Sequence, residues 1–251
     1  MHIPLPVSEV FWPRTNIPIE ETVPRLRGNT VRRQSSYRVL NGSLSSMPEQ
    51  IFAELADNLE LVPLEMGVIL SDPDRPAKAV YFIESGLLTR SVAAEGSKEV
   101  CVGVLGRSGF VGVSIVLDAE IPLHRVRVLV PGAAMRIDAE KLVIAMAKEG
   151  LLRQHLLRYV RVLLDEISQS ALFNTVHKID VRLARFLIRC SEELGSSQLP
   201  FTHEFLSESL GVRRASVTEG LLYLERRGGI VRARGCVDIS NFSTLRLLSG
   251  P

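Results

Sequence analysis

With 251 residues, 46% of them hydrophobic and 23% charged, the chain has the composition of a globular protein of one large or two modest domains, unlike a disordered or collagen-like chain. Its net charge of +2 hides a polarity: residues 1–40 carry six basic and three acidic groups, residues 41–175 carry 13 and 17, and residues 176–251 carry 11 and eight. No apolar run reaches the roughly 18 to 20 residues that span a bilayer, no secretory leader is evident, and the widely spaced Cys101, Cys190 and Cys236 indicate neither a disulfide framework nor a paired-cysteine metal site, so a cytoplasmic protein away from the membrane is expected.

Residues 1–40 contain Pro4, Pro6, Pro13, Pro18 and Pro24 and no sustained period, and read as an irregular arm. Its Arg25, Arg27, Arg32, Arg33 and Arg38 read as a solvated tail, with phosphate or an acidic surface as the alternative. Over residues 48–59, Ile51, Phe52, Leu55 and Leu59 fall at helical spacing, with Ser45 and Ser46 available as caps. Short apolar runs follow: Leu61–Leu64, Val68–Leu70, Val80–Ile83, Leu87–Val92, Val100–Val104, Val126–Val130 and Ala134–Ile137. Reversals are expected at Ser71-Asp-Pro-Asp, Glu84-Ser-Gly, Glu95-Gly-Ser and Pro131-Gly, which gives residues 41–150 the rhythm of a jelly-roll-like β-barrel.

Over residues 151–175 the period becomes helical, and Leu156, Val160, Leu163 and Ile167 form a short a/d seam expected to dimerise in parallel with a second copy. Leu152, Tyr159, Leu164 and Ala171 supply a second flank, so the helix can pack on its own barrel as well. In the same register come Ser170 and Asn174, where the seam weakens and a hinge could sit. Residues 176–251 begin with a helix, Ile179–Leu194, that buries Val181, Leu183, Ala184, Leu187 and Ile188 and stops at Gly195.

The stretch from Thr202 to Arg227 reads as two helices about a tight turn at Gly211. Thr202 caps the first, which turns Phe205, Leu206 and Leu210 inward, while Val212, Val217, Leu221 and Leu224 bury one face of the second. Arg213, Arg214, Ser216 and Thr218 lie in the first turns of that second helix, where base edges and phosphates of a major groove are met. Ile230–Ala233 and Cys236–Ile239 alternate about Arg234-Gly235 as a small wing, whose Arg232 and Arg234 are candidates for phosphate contact. DNA-binding candidates are therefore Thr202, Arg213, Arg214, Ser216, Thr218, Arg232 and Arg234.

The α+β order of barrel, long central helix and winged helix-turn-helix resembles the Crp/Fnr family of bacterial transcription regulators over roughly residues 48–245. Val80-Tyr-Phe-Ile-Glu-Ser-Gly-Leu-Leu is similar to its barrel signature, and Leu210-Gly-Val-Arg-Arg-Ala-Ser-Val-Thr to its recognition helix. The resemblance implies a homodimer on double-stranded DNA with a two-fold symmetric site, contact with RNA polymerase, and Arg214 as the base-reading arginine. Ala215 stands where many members have glutamate and Glu219 where many have a basic residue, so the preferred site should differ from that of the best-known members.

In members that bind cyclic AMP, a glutamate and an Arg-Ser pair hold the ribose and phosphate. Here Val113 follows Gly112 at the glutamate position, and Pro122 and Leu123 occupy the Arg-Ser positions. The effector-pocket candidates are Gly112, Val113, Arg125 and Arg127, and the expectation is a regulator independent of cyclic nucleotide, whose barrel takes another small molecule or serves as a scaffold. One alternative uses Arg125 or Arg127 for a cyclic phosphate. Another, of a different class, is a barrel interaction module that does not bind DNA. No cysteine precedes residue 101 for an iron-sulfur cluster, and His2, His124, His155, His177 and His203 lack metal-ligand spacing, so no metal or cofactor is expected. Glycines at 103, 106, 109 and 112 form no phosphate loop, and neither G-x-S-x-G nor H-E-x-x-H occurs, so no catalytic constellation is found.

Overall fold

A computed structural model describes residues 38–93 and 99–250. Arg25, Arg27, Arg32 and Arg33 of the arm and the Glu95-Gly-Ser reversal lie outside the described residues.

The buried side chain of Asn41 accepts from the Leu44 amide to cap a one-turn helix, α1 (Gly42–Ser45), and donates to the Ile83 and Gly109 carbonyls, which pins this segment to the barrel. The hydroxyls of Ser45 and Ser46, expected to cap the helix that follows, turn back to the Gly42 carbonyl instead. Helix α2 (Glu49–Ala56) starts after Pro48 with no side-chain cap and buries Ile51 and Leu55.

Strands β1 (Glu60–Leu64), β2 (Ile69–Ser71), β3 (Ala79–Ala93), β4 (Glu99–Leu105), β5 (Phe110–Val111) and β6 (Arg125–Asp138) form one antiparallel sheet. Its order is β1-β6-β3-β4, with β2 added to β6 and β5 to β3. Two expected reversals do not occur. Glu84-Ser-Gly lies inside β3 and Pro131-Gly inside β6, and the two long strands run past each other with irregular register between Ile83 and Leu88. Glycine is required at the crossing: a Cβ on Gly86 would fall 2.6 Å from the Val130 carbonyl oxygen, and one on Gly132 would fall 2.1 Å from that of Ser85. The backbones kink there without turning back. The sheet wraps a core of Leu64, Ile83, Leu88, Leu105, Val111, Val126, Val128 and Ala134.

After β5 comes a single turn, α3 (Val113–Val116), and after β6 an unanticipated helix, α4 (Ala139–Lys148), which buries Leu142, Ala145 and Met146 at helical spacing. The 27-residue α5 (Gly150–Val176) then runs along the barrel, where Leu152, Leu156 and Val160 share a core with Phe82, Phe110 and Met135.

The C-terminal part comprises α6 (Ile179–Leu194), β7 (Gln198–Leu199), α7 (His203–Leu210), α8 (Arg214–Arg226), β8 (Val231–Ala233), β9 (Cys236–Asp238) and α9 (Phe242–Leu248). The wing pairs as expected, but β7 extends it to a three-stranded sheet, β7-β9-β8. Leu183, Leu187, Leu206, Val217, Leu221, Leu224, Val237 and Leu245 make its core, which continues into Leu87, Val104 and Val130 of the barrel. The same contact carries a buried carboxylate. Glu193 accepts from the Ser108 amide at 3.1 Å, the Ser108 hydroxyl at 2.6 Å and Arg189 at 2.7 Å, and Arg189 reaches on to Glu166 of α5 at 2.5 Å.

Candidate nucleic-acid interface

The turn between α7 and α8 is set by chemistry close in sequence. Thr202 Oγ1 accepts from the Phe205 amide at 3.1 Å and caps α7, and Gly211 ends that helix at φ 63°, a conformation open to glycine at little cost. Arg213 is extended, and α8 begins one residue later with no side-chain cap. The first amides of α8 and the guanidinium groups of Arg213 and Arg214 therefore sit at one end of a helix whose opposite face, Val217, Leu221 and Leu224, is fully buried. Arg213, Arg214, Ala215 and Glu219 are exposed, Ser216 is half-buried, and neither arginine forms an ion pair among the described residues.

Thr218 has a different task from the one expected of it. Its hydroxyl donates to the Arg214 carbonyl at 3.1 Å and lies 3.0 Å from His203 Nδ1. With its proton committed to the carbonyl, the hydroxyl accepts from Nδ1–H, which fixes the tautomer and ties α7 to α8. Burial, then the charges of Arg214 and Arg232, hold the His203 pKa below the usual imidazole value. His203 is thus a supporting residue that sequence reasoning passed over.

The wing divides its two arginines. Arg232 is clamped to Glu225 of α8, with Nε 2.9 Å and Nη2 2.7 Å from the same carboxylate oxygen and the Arg232 amide on the other. Arg232, a candidate for phosphate contact, is thus held by Glu225, where its side chain braces the wing against α8, and the Glu225 pKa is lowered chiefly by its bond. Arg234 is exposed beside Gly235, which turns the hairpin at φ 70°. Arg213, Arg214 and Arg234 are the exposed cations among the expected DNA-contacting residues.

The barrel residues expected to form an effector pocket do not converge. Gly112 caps α3 at φ 105°, and Val113 packs into the barrel–α5 core. Along β6, Val126 and Val128 alternate into the core, which places Arg125 and Arg127 together on the opposite face, away from the barrel interior. Arg125 is moreover held by Asp72 at 2.9 Å, Asp74 at 2.9 Å and Glu99. The bond from Arg125 is the main reason that the Asp72 pKa is lowered, and those carboxylates raise the pKa of Arg125 still further. A cyclic phosphate bound through Arg125 would displace three carboxylates, so that alternative is not what this geometry favours. Pro122 is buried and Leu123 is 79% exposed at the positions compared with the Arg-Ser pair.

The fold of one chain places the residues expected to form a dimerisation seam. Leu156, Val160 and Leu163 are buried within a single chain, and Ile167 is half-buried. The flank left open carries Leu164, 60% exposed, together with exposed Ala171, while half-buried Leu157 packs against the barrel core. Among the described residues no group of His, Cys, Asp and Glu is placed to hold a metal ion, and no helix is long and apolar enough to cross a membrane.

Residues 181–248 match the Crp-like helix-turn-helix domain, which covers most of α6, the paired helices, the wing and α9. No curated protein matches the chain. Among solved structures, the chain resembles a Crp/Fnr-family transcriptional regulator from Eubacterium rectale (18% identity, TM-score 0.64, 81% of this chain and 95% of that one). It also resembles FixK2 from Bradyrhizobium japonicum (13% identity, TM-score 0.67, 77% and 98%) and the c-di-GMP-responsive global regulator CLP from Xanthomonas campestris (16% identity, TM-score 0.63, 77% and 100%). At these identities the solved structures establish the fold, and the domain match establishes the reading head. Residues 181–248 thus form a Crp-like helix-turn-helix domain, and the chain as a whole has the fold of Crp/Fnr-family regulators.

Proposed function

We propose that the protein is a cytoplasmic, homodimeric regulator that reads a two-fold symmetric DNA site without cyclic nucleotide, with Arg214 reading a base and Arg213 and Arg234 meeting phosphates. The observation that carries this reading is the exposed Arg213-Arg214 pair at the start of α8, free of ion pairs and opposite the helix's buried face. A helix-turn-helix that merely packed against a neighbour would present an apolar outer face there. Independence from cyclic nucleotide is supported by Val113 in the core and by Arg125 pointing outward into a cage of carboxylates. A second copy would meet α5 on Leu164 and Ala171, seven residues apart on the flank that the barrel leaves uncovered. RNA polymerase is the further partner this reading implies.

The test is selection of fragmented genomic DNA by the full chain without ligand, followed by comparison with Arg214→Ala. Expected is enrichment of a two-fold symmetric sequence, with Arg214→Ala losing on the order of 1 to 3 kcal/mol and its preference at one position in each half-site. Unchanged preference in Arg214→Ala would remove the base-reading role, and sequence-indifferent binding by the parent would remove specific recognition without ligand. Calorimetry with cyclic AMP and cyclic GMP should show no binding heat.

A further inference from the structure

At the junction of β4, α5, α6 and α7 lies a cavity of about 390 Å³ that none of the expected DNA-contacting or effector-pocket residues lines. Its wall carries Arg90, Arg182, Arg185 and Arg189 against Asp165 and Glu166. Three of the arginines are engaged by the protein. Arg189 bonds Glu166 and Glu193, Arg182 bonds Asn174 and the Leu210 carbonyl, and Arg185 lies 3.9 Å over the Phe173 ring. Arg90 is different. It is 5% exposed, it forms one long hydrogen bond, 3.4 Å to the Tyr159 hydroxyl, and no carboxylate of the described residues pairs with it.

Arginine stays protonated at any physiological pH, and burying its charge without a counterion is strongly unfavourable. Glu166 attracts Arg90 only through space and is itself bonded to Arg189, so no carboxylate contacts the Arg90 guanidinium on the side where there is room for an anion. The remaining wall is apolar, including Leu163, Ile167 and Phe186, a surface suited to the body of a small molecule. Guanidinium groups that arrive from β3 and from α6 suit a tetrahedral oxyanion, which offers acceptors in several directions, better than a planar carboxylate. We infer that this junction is a binding site for a small organic phosphate, with the phosphate held by the buried Arg90 and by Arg185 and the body seated on the apolar wall. Such a ligand touches barrel, central helix and reading head together. Resting on the regulator reading for this consequence alone, it would bias the docked arrangement of the reading head by its preference for one arrangement over another.

The experiment is thermal unfolding of the full chain with pyrophosphate, against sodium chloride at equal ionic strength. Expected for the parent is a saturable rise of several degrees with half-saturation below roughly 1 mM. Arg90→Met should abolish the rise and, without pyrophosphate, melt no lower than the parent, because a buried unpaired charge has been removed. Arg185→Gln, on the exposed rim, should keep the parent's melting temperature and need about tenfold more pyrophosphate, about 1.4 kcal/mol. No rise in the parent at roughly 10 mM, about ten times the expected half-saturation, overturns the site. An undiminished rise in Arg90→Met does the same, and an Arg90→Met chain that melts well below the parent makes Arg90 structural. None of these readouts contains DNA, so failure of the regulator reading and failure of the site are distinguishable.

Discussion

Replacing Glu193 by alanine removes the carboxylate through which the reading head is fastened to the barrel. Three bonds go: two from Ser108, at 3.1 and 2.6 Å, and one from Arg189, at 2.7 Å. Hydrogen bonds to a charged group are each worth about 1.5 to 3 kcal/mol. Arg189 keeps Glu166, so its share is small, and the Ser108 amide and hydroxyl carry most of the loss. The expected cost is about 3 kcal/mol, equivalent to roughly 6 to 12 °C in melting temperature for a chain of this size. Calorimetry and urea unfolding measure it. Glu192→Ala is the internal control: its pair with Arg246 is 3.1 Å long but both partners are well exposed, so the change should stay within about 0.5 kcal/mol. Ser108→Ala combined with Glu193→Ala should cost less than the sum of the two, by about 1 kcal/mol. A Glu193→Ala chain melting within roughly 2 °C of the parent, or strict additivity with Ser108→Ala, would refute the fastening.

Other consequences are open to direct measurement. Arg234→Ala should weaken binding about equally to all DNA sequences and lower the salt slope by about 1, whereas Arg232→Ala should chiefly destabilise the wing, because its partner is Glu225; hydrogen exchange of residues 231–238 separates the two. If α5 carries the proposed dimer, Leu164→Glu should give a monomer in sedimentation while Leu172→Glu, also exposed, leaves the dimer intact, and a parent chain that sediments as a monomer would refute it. Asp72 and Glu99 have pKa values lowered below their ordinary 3.8 and 4.5 in the folded chain. Their contribution to stability is therefore complete above those ordinary values and fades as pH falls below them. Arg125→Met should flatten the loss of stability between about pH 4.5 and 3 relative to the parent; an unchanged acid limb would remove the cage from the account.

Elements defined by local period were legible in the sequence, and those defined by distant partners were not. Helix α6 and the paired helices about Gly211 follow from apolar spacing, Thr202 and glycine stops, all within a few residues of one another. The same glycine logic misled in the barrel. Gly86 and Gly132 serve a close crossing between strands far apart in sequence, and sequence alone does not distinguish a kink from a turn. Helix α4 left a signal that was passed over, Leu142, Ala145 and Met146 at helical spacing. Glu193 left one as well: adjacent acidic residues, Glu192 and Glu193, in the last turn of α6 oppose the helix dipole and ask for a specific partner. Arg90 reads as an ordinary strand residue, because its isolation depends on β4, α5 and α6 meeting around it. For the interface, the position of Arg213 and Arg214 was legible, but the fate of Thr218 and Arg232 was decided by His203 and Glu225.

Helix α5 is anchored at its start in the barrel core and runs unbroken for 27 residues to the foot of the reading head. At about 1.5 Å per residue it is a rod of roughly 40 Å. A rod of that length is a lever. A tilt of about 5° at the barrel end sweeps the far end through roughly 3.5 Å, close to the roughly 3.4 Å rise of one base pair. Whatever repacks Leu152, Leu156 and Val160 by a fraction of a side chain therefore sets the reach of the reading head in units of DNA register.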